Sequence, residues 1–77
     1  MKDLLDYIVT GLVDNPDDVR VYSEDSYGST LLDISVNSGD MGRVIGRRGK
    51  VINSIRAIVK AAAAGTGEKY SVELLES

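Results

Sequence analysis

The side chains best suited to chemistry lie between Met41 and Gly67, and Gly46-Arg47-Arg48-Gly49 is their centre. Two guanidinium groups can neutralise phosphates, and glycine, which has no Cβ, lets another backbone approach closely. Residues 41–67, called the acid-free segment below, contain no acid and six basic residues: Arg43, Arg47, Arg48, Lys50, Arg56 and Lys60. This segment is therefore typical of a site for an anionic ligand.

The remaining residues are acidic. Residues 1–40 carry nine acids and two basic residues, and the whole 77-residue chain has a net charge of −3. Such an uneven distribution predicts a dipolar surface, so the negative total does not exclude a nucleic-acid ligand. Charge alone leaves open the alternative that the lysines and arginines only solvate a helix face.

The glycine spacing does not fit the nucleotide-binding motifs. A dinucleotide fingerprint needs Gly-x-Gly-x-x-Gly after a strand, whereas the spacing here is Gly42-x-x-x-Gly46-x-x-Gly49. A P-loop needs glycine at the position of Val44 and serine or threonine at that of Val51. The chain also has no His and no Cys. We therefore expect no enzyme, no metal site and no cofactor.

The elements that position the glycines follow from apolar spacing. The first helix should end before Pro16, Asp40 should cap the second, and a loop over residues 25–29 should join the first two strands as a hairpin. The predicted bounds are helix Lys2–Val13, strands Val19–Glu24 and Thr30–Val36, helices Met41–Ile45 and Lys50–Ala64, and strand Tyr70–Leu75. This order predicts one α+β domain over residues 1–77.

The expected sheet is three-stranded and mixed, because a hairpin joins the first two strands and a pair of helices joins the last two. The three helices should cover one face. The face of the long helix should consist of Val51, Ile52, Ile55, Ile58, Val59, Ala62 and Ala63. The glycines then lie in a turn between two helices, next to the free N–H groups of the second helix. On physical grounds this turn is either an anion site or only a packing corner.

The sequence Val44-Ile45-Gly46-Arg47-Arg48-Gly49-Lys50-Val51-Ile52 resembles the Val-Ile-Gly-x-x-Gly-x-x-Ile signature of KH domains. These are RNA-binding modules whose Gly-x-x-Gly loop clamps four backbone nucleotides. The order α-β-β-α-α-β resembles the type II KH fold. Residues 12–19, 40–46 and 55–63 also resemble small bacterial RNA-binding proteins with a single KH domain, so the resemblance covers essentially the whole chain.

The resemblance implies single-stranded RNA as the partner. The resemblance implies that the two glycines let the RNA backbone approach closely and that the basic residues neutralise phosphates. It also implies that Val44 and Val51 form part of an apolar groove for the bases and that Asn53 contacts a base. Ile45 and Ile52 should instead point into the core. The implied RNA-binding residues are Arg43, Val44, Gly46, Arg47, Arg48, Gly49, Lys50, Val51 and Asn53.

A module that reads about four nucleotides has limited selectivity, so a homodimer or a heterodimer with another RNA-binding protein is expected. The Ala61–Ala64 run suits either an interface or packing on the protein's own sheet. The expected role is that of a cytoplasmic RNA chaperone or post-transcriptional regulator, with no signal peptide. No apolar run approaches the ~20 residues of a membrane span. The alternative is a protein-interaction module with little RNA binding of its own.

Overall fold

The computed structural model describes residues 1–76, and it confirms the predicted order of helices and strands. Single 3-10 turns precede β1, α2 and α3, at Pro16–Asp18, Ser38–Asp40 and Arg47–Gly49. The main elements are α1 (Lys2–Thr10), β1 (Arg20–Ser26), β2 (Ser29–Val36), α2 (Met41–Ile45), α3 (Lys50–Ala63) and β3 (Lys69–Glu76).

The sheet has the order β1-β2-β3 and is mixed, as predicted. β1 and β2 are antiparallel, with Ser26 opposite Ser29 at the turn. β2 and β3 are parallel, from Ser29 opposite Lys69 to Val36 opposite Glu76. β3 is thus an edge strand, and α3 packs beside it while α1 packs against β1. This is the arrangement of a type II KH fold.

One hydrophobic core joins the sheet to all three helices. Alternate residues of β2 point into it, as expected for a sheet with one buried face. The core consists of Leu5, Val9, Val19, Val21, Leu32, Ile34, Val36, Val44, Ile52, Ile55, Val59 and Val72. Because α2 and α3 both contribute to this core, the turn between them is held against the body of the protein.

The hairpin is tighter than predicted. Only Tyr27 and Gly28 form the turn, with φ values of 47° and 82°, the pattern of a type I′ turn. The residues expected in a longer loop extend the strands instead, with Asp25 opposite Thr30 and Ser26 opposite Ser29, and Thr30 Oγ1 donates to Asp25 Oδ1 at 2.6 Å across the strands. These polar contacts compensate for weak strand propensity.

The helices also differ from the prediction in detail. α1 ends at Thr10 rather than Val13, because the helical bond from Gly11 N–H to the carbonyl of Tyr7 is followed by a tighter bond from Leu12 N–H to the carbonyl of Val9. α3 ends at Ala63, and Ile58 is 45% exposed although it was assigned to the apolar face. Ala62 is also exposed. The buried face is narrower than the prediction, since it is formed by Ile52, Ile55, Val59 and Ala63.

Candidate nucleic-acid interface

The turn between α2 and α3, called the glycine loop below, consists of residues 46–49. Gly46 closes α2 with φ 75° and ψ 174°, and its N–H donates to the carbonyl of Gly42 at 2.9 Å. Arg48 (φ 57°, ψ 26°) and Gly49 (φ 75°, ψ 15°) are both left-handed. The N–H groups of Gly49 and Lys50 donate within the turn, to the carbonyls of Gly46 and Arg47, and these bonds fix its shape.

The two glycines of the loop have different roles. A Cβ on Gly46 would lie 2.4 Å from Cγ2 of Val51 and 2.8 Å from the backbone nitrogen of Val51. A Cβ on Gly49 would lie 3.7 Å from Nδ2 of Asn53, an ordinary contact distance. Gly46 is therefore required for the close approach of α2 to α3, whereas Gly49 is required only for its positive φ.

Three cations surround the loop. Arg47, Arg48 and Lys50 are exposed, and within residues 1–76 their side chains form no ion pair or hydrogen bond. Their charges are available to a ligand without the loss of an internal contact. They also lie at the N-terminal end of the 14-residue α3, where the helix dipole adds positive potential.

Arg43 lies apart from these cations. Its Nη2 is 3.1 Å from Oδ2 of Asp14, in an ion pair with both side chains more than half exposed. At 100° per residue, Arg43 projects from the side of α2 opposite Met41 and Ile45. An exposed pair of this kind contributes at most about 1 kcal/mol, but it directs the guanidinium toward the chain after α1.

A groove of about 390 Å³ with both apolar and charged side chains, called the loop groove, lies between α2, α3 and the C-terminal half of β3. Its lining is Met41, Ile45, Ile52, Arg56, Glu73 and Leu74. Ile45 is 37% exposed, whereas Val44 is completely buried in the core. The predicted directions of Val44 and Ile45 were therefore wrong, because a five-residue helix with two adjacent apolar residues does not fix which one faces inward.

Val51 and Asn53 both contact residues of the protein itself. Val51 is half-buried beneath Gly46 and packs against the core rather than lining the loop groove. Asn53 Oδ1 accepts a hydrogen bond from Nη1 of Arg56 at 3.1 Å. The amide Nδ2 of Asn53 stays beside Gly49, so one end of this side chain faces the glycine loop.

The sequence did not single out Arg56, which the structure brings to the candidate site. Its Nε donates to the backbone carbonyl of Val72 at 3.1 Å, so the guanidinium crosses from α3 to the edge of β3. There it forms one end of the loop groove. The sequence did contain a signal for this position. Arg56 belongs to the acid-free segment and lies three residues after Asn53, on the same side of the helix.

A buried carboxylate holds the start of α2. Asp40 is 1% exposed, and it accepts bonds of 3.1 Å from the backbone N–H of Asp14 and from the backbone N–H and Nδ2 of Asn15. Burial raises the pKa of Asp40, but these bonds and the charge of Arg43 outweigh it and leave the pKa below its ordinary value. Asp40 occupies the N-cap position, as predicted, but its side chain makes no capping bond.

Known proteins resemble this chain over nearly its full length. The family described as KhpA/KhpB, KH domain, matches residues 2–74. The chain belongs to this family. The RNA-binding protein KhpA of Clostridium perfringens is 41% identical over 97% of this chain and 100% of its own length. KhpA of Bacillus subtilis is 40% identical over 99% of this chain and 94% of its own length. KhpA of Leifsonia xyli is 46% identical over 88% of this chain and 90% of its own length. No solved structure matches the chain significantly.

Membership in the KhpA/KhpB family confirms the prediction of a type II KH domain and of a protein that is not an enzyme. Within residues 1–76 there is no group of three acidic, His or Cys side chains that could hold a metal ion. In the same part of the chain, no helix combines the length and hydrophobicity needed to cross a membrane.

Proposed function

We propose that this chain binds single-stranded RNA at the glycine loop and the adjacent loop groove. The observation that carries the proposal is the position of three cations, Arg47, Arg48 and Lys50, which form no ion pair within residues 1–76 and lie at the N-terminal end of α3. The relatives that are similar over the whole chain are named as RNA-binding proteins. A phosphate backbone next to an apolar groove is the chemistry expected of a KH domain.

In this proposal the phosphates lie at the glycine loop and the bases turn into the loop groove. Ile45 and Leu74 supply the apolar surface for the bases, with the buried Ile52 behind them, and Nδ2 of Asn53 donates to a base or phosphate beside Gly49. Val44 and Val51 support the loop from beneath. Arg43 contributes less than the loop arginines, because it would first have to leave Asp14.

Binding should be weak and salt-sensitive. Neutralisation of about three or four phosphates gives a slope of log affinity against log salt of roughly −2 to −3 for a single strand. Each loop cation should account for about −0.7 of that slope. The slope therefore reports how many of the three cations contact phosphate.

The test is the double variant Arg47→Asp/Arg48→Asp. Both side chains are exposed and unpaired within residues 1–76, so the thermal midpoint should not fall. RNA affinity should fall by at least about 100-fold, and the salt slope should flatten by roughly 1.4. Fluorescence anisotropy with labelled RNA measures both quantities. The control is Lys2→Glu on α1, which reverses one exposed charge where the double variant reverses two, so twice its effect on log affinity is the contribution of net charge. A folded double variant that binds RNA as tightly as the wild type contradicts the proposal.

The proposal extends to a second RNA-binding subunit, either another copy or a different protein, because one module reads few bases. Exposed apolar side chains on the packed helices α1 and α3 favour such contacts, with Leu4 36% and Ile58 45% exposed. Within the Ala61–Ala64 run only Ala63 is buried. If analytical ultracentrifugation shows a strict monomer at tens of micromolar, the proposed self-association is wrong.

The proposed cellular role is that of an RNA chaperone or post-transcriptional regulator in the cytoplasm. Crosslinking in cells, followed by sequencing of the bound RNA, should identify sites that contact residues 43–51. The same exposed apolar side chains favour the alternative, a protein-interaction module. That alternative predicts no such crosslinks and unchanged protein partners for Arg47→Asp/Arg48→Asp.

A further inference from the structure

The face of the sheet that points away from the helices, called the open face, has no covering layer within residues 1–76. The helices pack on the opposite face, where Val21, Ile34 and Val72 belong to the core. Side chains alternate between the two faces along each strand. The centre of the open face therefore consists of Tyr22, Glu24, Leu31, Asp33, Ser71 and Glu73. Of these side chains only Glu73 also borders the loop groove.

One row of the open face, called the central row, combines an aromatic ring with two carboxylates. Tyr22 lies opposite Asp33 in the antiparallel pair of strands, and Asp33 lies opposite Glu73 in the parallel pair. Neighbouring strands are about 4.8 Å apart, so the row spans roughly 10 Å. Tyr22 is 55% exposed, and Glu73 is exposed as well. Because like charges side by side destabilise a sheet, a cation that joined the central row would relieve this repulsion.

Asp33 has an oxygen that lacks a hydrogen-bond partner. Its Oδ1 is shielded from solvent, and no group within residues 1–76 donates to it. A carboxylate oxygen that loses water without gaining a donor costs free energy, so the position favours a donor from outside. The side chain as a whole is only half-buried, and the torsion of its carboxylate is soft. The carboxylate can therefore turn toward a donor that arrives on the open face.

The two cations on the open face do not supply this donor. Nη1 of Arg20 instead donates to two backbone carbonyls just before β1, both at 2.8 Å. Lys69 lies four residues before Glu73 on β3, which is about 13 Å at roughly 3.3 Å per residue. Neither cation forms an ion pair within residues 1–76. A donor for Asp33 therefore has to come from another molecule.

We propose that the open face docks a basic segment of another protein, with an arginine side chain over the central row. A guanidinium is planar, bonds a carboxylate through two parallel N–H groups and stacks on an aromatic ring. The ring of Tyr22 and the carboxylates of Asp33 and Glu73 offer both kinds of contact to one arginine. The half-buried Leu31 and the 41% exposed Leu75 add apolar surface for the rest of the segment. RNA is the wrong occupant, since the carboxylates would repel its phosphates.

A segment on the open face would not compete with RNA at the glycine loop. The glycine loop joins two helices, and these helices pack on the other face of the sheet. The chain would then hold an RNA on one side and a basic protein on the other. This inference goes beyond the proposed function and does not require it, because no residue of the glycine loop takes part.

The test is a titration of isotope-labelled protein with a hexapeptide of alternating glycine and arginine, followed by NMR. The largest amide shifts should surround Tyr22 and Asp33 on β1 and β2. Asp33→Asn should weaken the peptide about tenfold, because the arginine loses a charged partner. Asp6→Asn is the matched control, since it removes the same charge from an exposed side chain of α1, and it should weaken the peptide by less than about twofold. A peptide with lysine in place of arginine should bind several-fold more weakly, because an ammonium group lacks the planar fork.

Asp33→Asn also separates a docking role from a structural one. Without peptide, this variant should melt at the same temperature as the wild type or at a higher one, because it removes the repulsion from Glu73 and keeps the shape of the side chain. A lower melting temperature would show that the carboxylate stabilises the fold and would overturn the proposal. RNA affinity should not change, so a failure of the wild type to bind RNA bears on the proposed function alone.

Two further results would also overturn the proposal. If the peptide shifts α1 rather than β1 and β2, or if Asp33→Asn weakens it no more than Asp6→Asn does, the peptide is attracted only by the overall acidity of the chain. If the wild type self-associates in sedimentation and Asp33→Asn does not, a second copy of the chain covers the open face instead.

Discussion

Two turns in this protein share a backbone pattern but differ in their surroundings. Tyr27-Gly28 in the hairpin has φ values of 47° and 82°, and Arg48-Gly49 in the glycine loop has 57° and 75°. In both turns an exposed bulky residue adopts the left-handed conformation ahead of a glycine. The hairpin turn extends from two paired strands into solvent, whereas the glycine loop lies between two helices and among cations. The turn conformation alone therefore does not make a binding site.

The glycine loop has two supports that the hairpin turn lacks. Gly46 is pressed against Val51, whereas a Cβ on Gly28 would meet nothing within 4 Å. Asp40 also ties the start of α2 to Asp14 and Asn15. These supports hold the position of the glycine loop relative to the loop groove. A phosphate site would require such a fixed position, whereas a simple reversal of the chain does not.

The largest expected effect is a loss of stability that distinguishes Gly46 from Gly49 and Gly28. Gly46→Ala should destabilise the protein by about 3 kcal/mol or more, since it adds a clash with the backbone of Val51 to the cost of a positive φ. Gly49→Ala and Gly28→Ala should each cost only about 1 kcal/mol, the cost of the left-handed conformation. Urea denaturation measures all three. If the Gly46 variant is no less stable than the Gly28 variant, the contact with Val51 does not constrain the loop.

The next largest effect on stability is expected at Asp40, which supports the glycine loop and makes no contact with the hairpin turn. Asp40→Asn should lower the free energy of unfolding at pH 7 by about 2 kcal/mol, because backbone N–H groups of Asp14 and Asn15 lose their charged acceptor. Thermal melts across pH test the electrostatic part. The pKa of Asp40 is lower in the folded state than its ordinary value of 3.8. Its contribution is therefore complete above about pH 3.8 and is lost as the pH falls through the folded-state pKa, so the gap between variant and wild type should narrow in acid.

The smallest effect compares the two left-handed side chains directly. Tyr27→Asn and Arg48→Asn should each stabilise the fold by about 0.5 kcal/mol, since asparagine tolerates this conformation better than a bulky residue. RNA affinity should fall several-fold only for the Arg48 variant, which loses one phosphate contact. Equal RNA affinities for the two variants would show that Arg48 serves the turn rather than the ligand.

Local patterns in the sequence were enough to predict the order of elements, the mixed sheet and the place of the glycine loop. The alternation of Leu32, Ile34 and Val36 and the three- and four-residue spacing of α3 each extend over enough residues to fix a buried face. α2 has only five residues, so its pattern did not separate Val44 from Ile45.

The contacts that the sequence did not reveal are the ones between distant segments. Asp40 bonds to residues 25 and 26 positions away, and Arg56 to Val72, 16 positions away. Neither partner leaves a periodic trace in the sequence. The open groove between the C-terminal half of α3 and the first residues of β3 likewise exists only because α3 lies beside β3.

The bond from Arg56 to Val72 also has a consequence for self-assembly. β3 is an edge strand with the apolar and aromatic residues Tyr70, Val72, Leu74 and Leu75, a composition that invites pairing with strands of other molecules. Arg56 occupies one of the carbonyls that such a strand would need. Basic side chains beside an edge strand also repel a second copy of the same edge. Arg56, Lys60 and Lys69 would therefore protect a concentrated solution of this protein against aggregation through β3.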